Sequence, residues 1–312
     1  AGQGADGRHG TQRRRGTAAR GENEEEREAA RAPVAMLTPM PLAGAESRLV
    51  TAAGLSTHSY VAGNGTPLIL LHGGGAGADS YGNWRGCLAE FARSHQVYAV
   101  DMVGFGFTDQ PDPAGYEYSQ SARVDHIIAL LEALSLRKVA IIGNSMGGFT
   151  AMGVAIERPD LVDRLVLMGS AGIRAPVSEE LKSILNYDYT MAGMERIARG
   201  LTHPDFVPDQ ALIEYRHKLS VRPRSKAAYA AVMQWQRDQG GFFYPEEYIR
   251  RISQRTLVVN GKDDKVVPLS SGFRLVELID NAWGYFIPRC GHWAMIERQA
   301  DFLHATLGFL DA

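Results

Sequence analysis

Short apolar runs that alternate with amphipathic stretches constrain the fold of this chain more than any other feature of its sequence. Five runs are uninterrupted and bounded by turn residues, as in strands buried on both faces of a sheet: residues 67–71, 96–100, 138–142, 164–168 and 256–260. Apolar residues at helical spacing predict helices over residues 121–134, 146–155 and 299–310. We therefore predict an α/β fold with a mostly parallel sheet and helices on both faces, preceded by an antiparallel strand pair in residues 49–61 that turns near Gly54.

One connection in this alternation is too long for a simple crossover. A parallel crossover needs about a dozen residues or somewhat more, whereas residues 169–255 separate the fourth and fifth apolar runs. This excess is helical in pattern and rich in large apolar side chains. We expect a helical lid subdomain over residues 172–249, inserted into a core domain made of residues 47–171 and 250–312. Its apolar residues pack the insert onto the core, line a substrate pocket, or do both.

The first 46 residues differ from the rest in composition. They are mainly Gly, Ala, Arg and Glu, with almost no large apolar side chains. Such a segment buries too little surface to offset its ordering entropy, so we predict a disordered tail over residues 1–46. Met36 is one candidate for the true start of the protein.

The charge balance and the cysteine count narrow the classes of partner. The 33 basic and 35 acidic side chains give a net charge of -2, which offers no general attraction to nucleic acid or to an anionic membrane. Two cysteines, Cys87 and Cys290, exclude a disulfide framework and a cysteine-rich zinc site. No apolar stretch reaches the roughly 18 to 20 residues of a membrane helix. We expect a cytoplasmic protein without a nucleic-acid or membrane partner.

A nucleophilic serine is indicated by residues 143–147, Gly-Asn-Ser-Met-Gly, which match the pattern G-x-S-x-G. The pattern follows a predicted strand and opens a predicted helix, with small residues where a sharp turn would crowd a side chain. A serine hydroxyl is a poor nucleophile unless a base takes its proton and an acid holds that base. Ser145 therefore requires a histidine and a carboxylate.

Two histidines occupy loops that could supply the base. His72 ends a predicted strand upstream of the serine, whereas His292 lies in a loop between the last strand and the last helix. The chain order of serine, acid and histidine in folds with this turn requires His292. For the acid we choose Asp264 over Asp263, because it fits the spacing G-x-x-D-x-x-V-P of residues 261–268.

Two backbone N–H groups should face the oxyanion that such an attack creates. The predicted helix start supplies the N–H of Met146, and the glycine run of residues 72–77 supplies a second donor, which we place at Gly74. As a phosphate loop the glycine run lacks the sequence G-K-[ST]. The histidines show no metal-ligand spacing and no dinucleotide motif follows a first strand, so we expect no cofactor.

From residue 47 to its end, the chain resembles the α/β-hydrolases and is similar to the meta-cleavage product hydrolases, which hydrolyse carbon-carbon bonds in aromatic ring degradation. The resemblance rests on four motifs: residues 71–77 (LHGGGAG) with Asn83-Trp84, residues 101–109 (DMVGFGFTD), residues 143–148 (GNSMGG) and residues 289–293 (RCGHW). The Gly-Asn-Ser and Cys-Gly-His-Trp motifs are specific to this group, whereas the plain serine turn is shared by the whole superfamily. The resemblance implies an α/β-hydrolase fold with a helical lid.

The resemblance also implies a substrate and the residues that bind it. The substrate is a small molecule of the 2-hydroxy-6-oxo-hexa-2,4-dienoate type, which becomes a keto tautomer before water cleaves its C5-C6 bond. The family places an arginine for the substrate carboxylate in the lid, which by position falls on Arg216, with Arg222 and Arg224 as rivals. Asn83 and Asn144 would bind the dienol and carboxylate end, and Trp293 would form a wall beside the histidine.

Two other functions fit the same motifs. A carboxylesterase or lactonase would use an identical triad, because the triad does not encode which carbon it attacks. A ligand receptor on this fold would be expected to lose a triad member, and none is missing. A homo-oligomer is compatible with either enzyme.

Overall fold

The structure is a computed structural model that describes Ala1 and residues 37–312. Residues 2–36, most of the predicted tail, lie outside the described residues. The last part of the predicted tail contacts the core: the Tyr60 hydroxyl donates to the Met40 carbonyl over 2.6 Å, and the first strand begins at Glu46. The predicted tail boundary at residue 46 is therefore too late, because Met40 already contacts the core.

The described residues form one sheet of eight strands in the order β1-β2-β4-β3-β5-β6-β7-β8. Strand β2 pairs antiparallel with β1 and β4, and every other pairing is parallel. The strands are β1 (Glu46–Ala52), β2 (Leu55–Ala62), β3 (Thr66–Leu71), β4 (His95–Val100), β5 (Val139–Asn144), β6 (Val162–Met168), β7 (Arg255–Gly261) and β8 (Ala282–Ile287). All five predicted apolar runs are strands, as is the predicted antiparallel pair.

Twelve helices are present among the described residues. Seven surround the sheet: α1 (Ser80–Trp84), α2 (Leu88–Phe91), α3 (Gln120–Ala133), α4 (Met146–Glu157), α10 (Leu269–Leu278), α11 (Ala294–Glu297) and α12 (Gln299–Leu310). Five lie between β6 and β7: α5 (Glu179–Leu185), α6 (Met191–Gly200), α7 (Gln210–Ser220), α8 (Pro223–Gln239) and α9 (Glu246–Ile249). Residues 172–249, which we call the inserted segment, are thus mainly helical, as the sequence predicts.

The centre of the sheet is buried on both faces, which explains its continuous apolar runs. All six residues of β5 are buried, and in α4 only the final residue, Glu157, is not. Helix α4 is enclosed because it packs between the sheet and α3, and each fully buried large apolar side chain there, such as Phe149, contributes about 1.5–3 kcal/mol to folding. In the part of the chain that the structure describes, no helix is both long and apolar enough to cross a membrane.

Candidate active site

Ser145 lies in a strained turn between β5 and α4. Its backbone has φ +55° and ψ -118°, a conformation that non-glycine residues rarely adopt. The flanking glycines make the turn sterically possible, because a Cβ on Gly143 would come within 2.5 Å of the Gly147 backbone. A Cβ on Gly147 would collide with the carbonyl oxygens of Leu71 and His72. The turn raises Ser145 at the carboxyl end of the sheet, where it lines a cavity.

Asp264 and His292 form a buried hydrogen-bonded pair at the same edge of the sheet. Nδ1 of His292 is 2.8 Å from Oδ2 of Asp264, and both side chains are almost fully buried. The other carboxylate oxygen accepts the N–H groups of Val266 and Val267, each over 2.8 Å. Because an ionised carboxylate only accepts, Nδ1 carries the proton and Nε2 is left to act as a base.

The alternative acid occupies a different environment. The side chain of Asp263 is 46% exposed, and its Oδ2 lies 4.0 Å from Nε2 of His203. A glycine allows the chosen pair to sit against β6: Gly169 has φ +49°, and a Cβ there would stand 3.0 Å from Nδ1 of His292. The structure thus places Asp264, and not Asp263, against the histidine.

Ser145 and His292 line one cavity, but the hydrogen bonds among the described residues do not include one between them. Bonds of this kind are often long before substrate binds and tighten in the reacting complex. Of the two contacts expected for the predicted triad, the structure therefore contains the one between Asp264 and His292.

The two proposed oxyanion donors are neighbours. Met146 is the first residue of α4, where N–H groups have no partner within the helix. Gly74 lies directly against it, since a Cβ on Gly74 would stand 2.7 Å from Sδ and 3.0 Å from Cβ of Met146. Both residues line the cavity, so their N–H groups can converge on a bound oxygen.

The side chain of His72 bonds backbone groups next to the glycine run, and no hydrogen bond joins it to Ser145 or Asp264. Its Nε2 accepts the Met102 N–H over 3.0 Å, so Nδ1 carries the proton and donates to the Gly73 carbonyl over 2.7 Å. Burial lowers the pKa of His72, which favours the neutral ring that this arrangement requires. In a trans peptide the N–H points opposite to the C=O. Holding the Gly73 carbonyl therefore directs the Gly74 N–H away from His72.

Arg216 is a buried cation that faces the cavity from α7. It is 2% exposed, its Nη2 donates to the Ala76 carbonyl over 3.0 Å, and its guanidinium lies 5.1 Å from the ring centre of Trp293. Its Nε has no partner, and within the described residues no carboxylate oxygen lies within 4.0 Å of it. Burial lowers the pKa of Arg216 to about 10, so the group remains charged at neutral pH.

The two rival arginines are elsewhere. Arg222 donates to the carbonyl of Gly106 and to the Ser225 hydroxyl, and Arg224 is exposed. Neither lines the cavity that contains Ser145. Of the three candidates, only Arg216 is in a position to meet a ligand there.

Asn83 and Asn144 lie side by side in the cavity wall. The Asn83 amide donates to Oδ1 of Asn144 over 3.1 Å, and the Asn144 amide donates to the Met168 carbonyl over 3.2 Å. Both are buried and line the cavity with Trp293, so every residue proposed for substrate binding is in one place. In the described part of the chain, no group of His, Cys, Asp and Glu side chains is arranged to hold a metal ion.

Two buried residues that the sequence analysis did not select connect the inserted segment to the core. The Tyr215 hydroxyl donates to Oδ2 of Asp79, whose Oδ1 accepts the Gly82 N–H over 2.7 Å and thereby caps α1. This link fixes the helix that carries Asn83 to the helix that carries Arg216. Burial and the nearby carboxylate of Asp101 raise the pKa of Asp79 to about 7. In the sequence, the only indication of this cap is an aspartate immediately before the first residue of α1.

The inserted segment contributes further cavity residues, of which two polar ones, Gln236 and Arg174, have no local sequence pattern that indicates a site. Gln236 is 6% exposed, and its side-chain amide makes no hydrogen bond to another described residue. Arg174 is exposed and lies 3.9 Å from the ring centre of Phe243. Apart from these and Arg216, the wall from this segment is apolar and includes Ile173, Leu181, Ile184, Leu185, Met233 and Phe242. The cavity is therefore mostly apolar, with polar groups at separate points.

Comparison with known proteins gives one consistent result. Residues 66–299 match the alpha/beta hydrolase fold family. The chain is 49% identical over 264 residues to a 2-hydroxy-6-oxo-6-(2'-aminophenyl)hexa-2,4-dienoic acid hydrolase of Metapseudomonas resinovorans, covering 84% of this chain and 90% of that protein. It is 36% identical over 265 residues to a 2-hydroxymuconate semialdehyde hydrolase of Pseudomonas sp. (strain CF600), covering 84% and 93%.

Solved structures agree. A serine hydrolase involved in carbazole degradation superposes with a TM-score of 0.79 at 46% identity, covering 86% of this chain and 99% of that one. A meta-cleavage product hydrolase from Pseudomonas fluorescens IP01 superposes with a TM-score of 0.79 at 35% identity, covering 85% and 97%. The similarity therefore covers 85–86% of this chain and nearly the whole of each solved chain.

Proposed function

Because this chain belongs to the α/β-hydrolase family and, within it, to the meta-cleavage product hydrolases, we propose that it cleaves the C5-C6 bond of a 2-hydroxy-6-oxo-hexa-2,4-dienoate type ring-fission product. The observation that carries the proposal is Arg216, a buried guanidinium without a carboxylate partner in the cavity of Ser145 and His292. A buried unpaired cation is costly. A substrate carboxylate supplies its partner and fixes the substrate in one orientation.

The bound carboxylate end would lie among neutral hydrogen-bonding groups. Asn83 and Asn144 are buried beside each other and can bond the 2-hydroxyl or carboxylate oxygens as the dienol becomes the 2-keto tautomer. Trp293 lies against the Arg216 guanidinium and limits where the chain of the substrate can run. These contacts would leave the C6 carbonyl near the serine.

The reaction would then proceed in two stages, acylation of Ser145 with cleavage of the C5-C6 bond and hydrolysis of the acyl-serine. His292 takes the Ser145 proton at Nε2 while Oγ attacks C6, and the Gly74 and Met146 N–H groups hold the resulting oxyanion. Collapse of this intermediate breaks the C5-C6 bond, and the electron pair passes into the conjugated 2-keto system as a dienolate, which takes the proton held by His292 and leaves as 2-hydroxypenta-2,4-dienoate with the ring neutral again. Water, deprotonated by His292, hydrolyses the ester on Ser145 and releases the carboxylic acid. Asp264 keeps the ring oriented and stabilises its charge.

We propose an aryl group as the C6 substituent. The inserted segment supplies apolar cavity walls that suit a ring, which fits its proposed role as a lid. Gln236 adds an amide without a bonding partner in the described chain, which suits a polar group on that ring. The 49% identical relative is named for an aminophenyl dienoate, which supports the same class.

We also infer that the enzyme acts in the cytoplasm on a free small molecule. Both cysteines are unpaired and buried, which fits a reducing compartment, and the near-neutral net charge offers no attraction to nucleic acid. A homo-oligomer is compatible with these features.

The proposal is tested with a matched pair of substrates. A 6-aryl dienoate and a neutral ester of the same aryl acid both deliver an acyl group to Ser145, but only the dienoate presents a carboxylate. We expect loss of the yellow dienoate absorbance, with the aryl acid and 2-hydroxypenta-2,4-dienoate formed in equal amounts. Hydrolysis of the ester alone would instead identify a carboxylesterase.

A further inference from the structure

A carboxylate outside the triad organises the loop that carries His292. Glu297 is the last residue of α11 and is partly buried. Its Oε2 accepts the N–H of His203 over 2.6 Å and the N–H of Gly291 over 3.0 Å, and its Oε1 accepts the N–H of Trp293 over 3.0 Å. One side chain thus bonds three backbone groups, two of which belong to the residues on either side of His292.

The backbone of His292 itself is held by the inserted segment. Its N–H donates to the Leu201 carbonyl over 2.8 Å, just after α6. With the two Glu297 bonds, three successive N–H groups of the loop, from Gly291 to Trp293, all have acceptors. A shift of these three residues would therefore break a hydrogen bond.

The third Glu297 bond ties this loop to the inserted segment. His203 follows α6, and its N–H shares Oε2 with the N–H of Gly291. The two chains approach closely: a Cβ on Gly291 would stand 2.7 Å from the Thr202 carbonyl carbon and 2.8 Å from the His203 nitrogen. The Glu297 carboxylate therefore lies where the loop that carries His292 meets the inserted segment, which also carries Arg216.

Glu297 is not explained as half of an ion pair. Within the described residues no Lys, Arg or His nitrogen lies within 4.0 Å of its carboxylate, although neighbouring Arg298 pairs with Asp301. Burial raises the pKa of Glu297, which the three backbone N–H bonds oppose. A partly buried carboxylate whose partners are all backbone N–H groups acts on the conformation of those residues.

We propose that Glu297 is a positioning residue: it fixes the ring of His292 between Asp264 and Ser145 and couples that position to the inserted segment. The inference rests on the proposed function, because that function defines the reaction in which His292 acts. It concerns the position of His292 and not the binding of the substrate. The substrate carboxylate would still meet Arg216 if Glu297 were changed. Loss of Glu297 should therefore reduce turnover and leave binding intact.

The test is Glu297→Gln, with Glu247→Gln as the matched control. Glutamine keeps the size of the side chain, but its NH2 group would face a backbone N–H donor, so at least one bond is lost. Glu247 is exposed and outside the cavity. We expect kcat of Glu297→Gln to fall about 10- to 100-fold with KM within about twofold, equally for the dienoate and for the neutral aryl ester. Glu247→Gln should match the wild type.

A second readout separates positioning from a general loss of structure. The Nδ1–H proton of His292 lies in the short bond to Asp264 and should give a downfield resonance in the proton NMR spectrum of the wild type. We expect it to broaden or shift in Glu297→Gln while circular dichroism shows a folded protein. Glu297→Asp, which is too short to reach all three N–H groups, should lose part of the activity.

Three results would overturn the proposal: unchanged kcat, a rise in KM that accounts for the loss, or an unchanged histidine resonance in an inactive variant. Failure of the proposed function gives a different result. In that case the wild type would cleave only the ester, and the Glu297→Gln loss would still be seen on that ester.

Discussion

Replacing Arg216 with glutamine should separate carbon-carbon hydrolysis from ester hydrolysis. Among the described residues the guanidinium has one hydrogen bond, to the Ala76 carbonyl, and no carboxylate oxygen within 4.0 Å, so glutamine removes no direct ion pair. With a dienoate bound, the same change replaces a charge-assisted contact by a neutral one. The difference is about 1.5–3 kcal/mol, or roughly 10- to 150-fold in kcat/KM.

The assay compares both substrates on wild type, Arg216→Gln and the control Arg224→Gln. Arg224 is exposed and lies outside the cavity, so Arg224→Gln should alter the rate on neither substrate. We expect the dienoate kcat/KM of Arg216→Gln to fall by the factor above, while the neutral ester changes less than about threefold. The substitution also removes a buried charge, which is costly to desolvate. The melting temperature of Arg216→Gln without substrate should therefore fall by no more than the loss of the hydrogen bond to Ala76 accounts for.

Equal losses on the two substrates would refute this reasoning. That result would mean that Arg216 holds the cavity together through Ala76 and Trp293 and does not bind a carboxylate.

Three further predictions concern the acid, the buried cap and specificity. Asp264→Asn should lower kcat at least about 10³-fold in steady-state assays on both substrates, whereas Asp263→Asn should retain most activity; the reverse would move the acid by one residue. The pKa of Asp79 is raised to about 7 in the folded protein, against a value near 3.8 in the unfolded chain. Asp79 therefore contributes to the free energy of unfolding at low pH, and this contribution is lost as the pH rises to 7. The unfolding free energy of Asp79→Asn, measured with urea, should therefore rise relative to wild type by roughly 1 kcal/mol per pH unit between pH 5 and 7, and a constant difference would exclude this ionisation. Gln236→Leu should reduce the preference for an aminophenyl over a phenyl dienoate several-fold in kcat/KM, and an unchanged ratio would remove Gln236 from specificity.

The sequence predicts those parts of the fold and site that have a local pattern. The central strands are buried on both faces, so they appear as continuous apolar runs, and their bounds differ from the structure by only one or two residues. The serine turn is recognisable because glycines at 143 and 147 are required by contacts within a few residues of Ser145 and with β3. Strand β8 has no such pattern, because Gly284 interrupts its apolar residues and several of its residues are partly exposed at the sheet edge.

Contacts between distant segments had no such pattern. Tyr215 and Asp79 are 136 residues apart, and nothing in either neighbourhood indicates that they meet. Glu297 bonds only backbone N–H groups, which every residue except proline carries, so its partners cannot be read from residue types. Arg216 could be chosen over Arg222 and Arg224 only by resemblance, because burial and direction decide which arginine reaches the cavity.

A single-turnover measurement on Ser145→Ala tests the central claim most directly. Enzyme in excess is mixed with a yellow 6-aryl dienoate in a stopped-flow instrument, and the visible spectrum is followed for wild type and variant. We predict that both bind the dienoate with similar affinity, and that the variant forms the aryl acid and 2-hydroxypenta-2,4-dienoate at least about 10³-fold more slowly than the wild type, because no nucleophile reaches C6. Cleavage by Ser145→Ala at a rate near that of the wild type, with the same two products, would contradict the account.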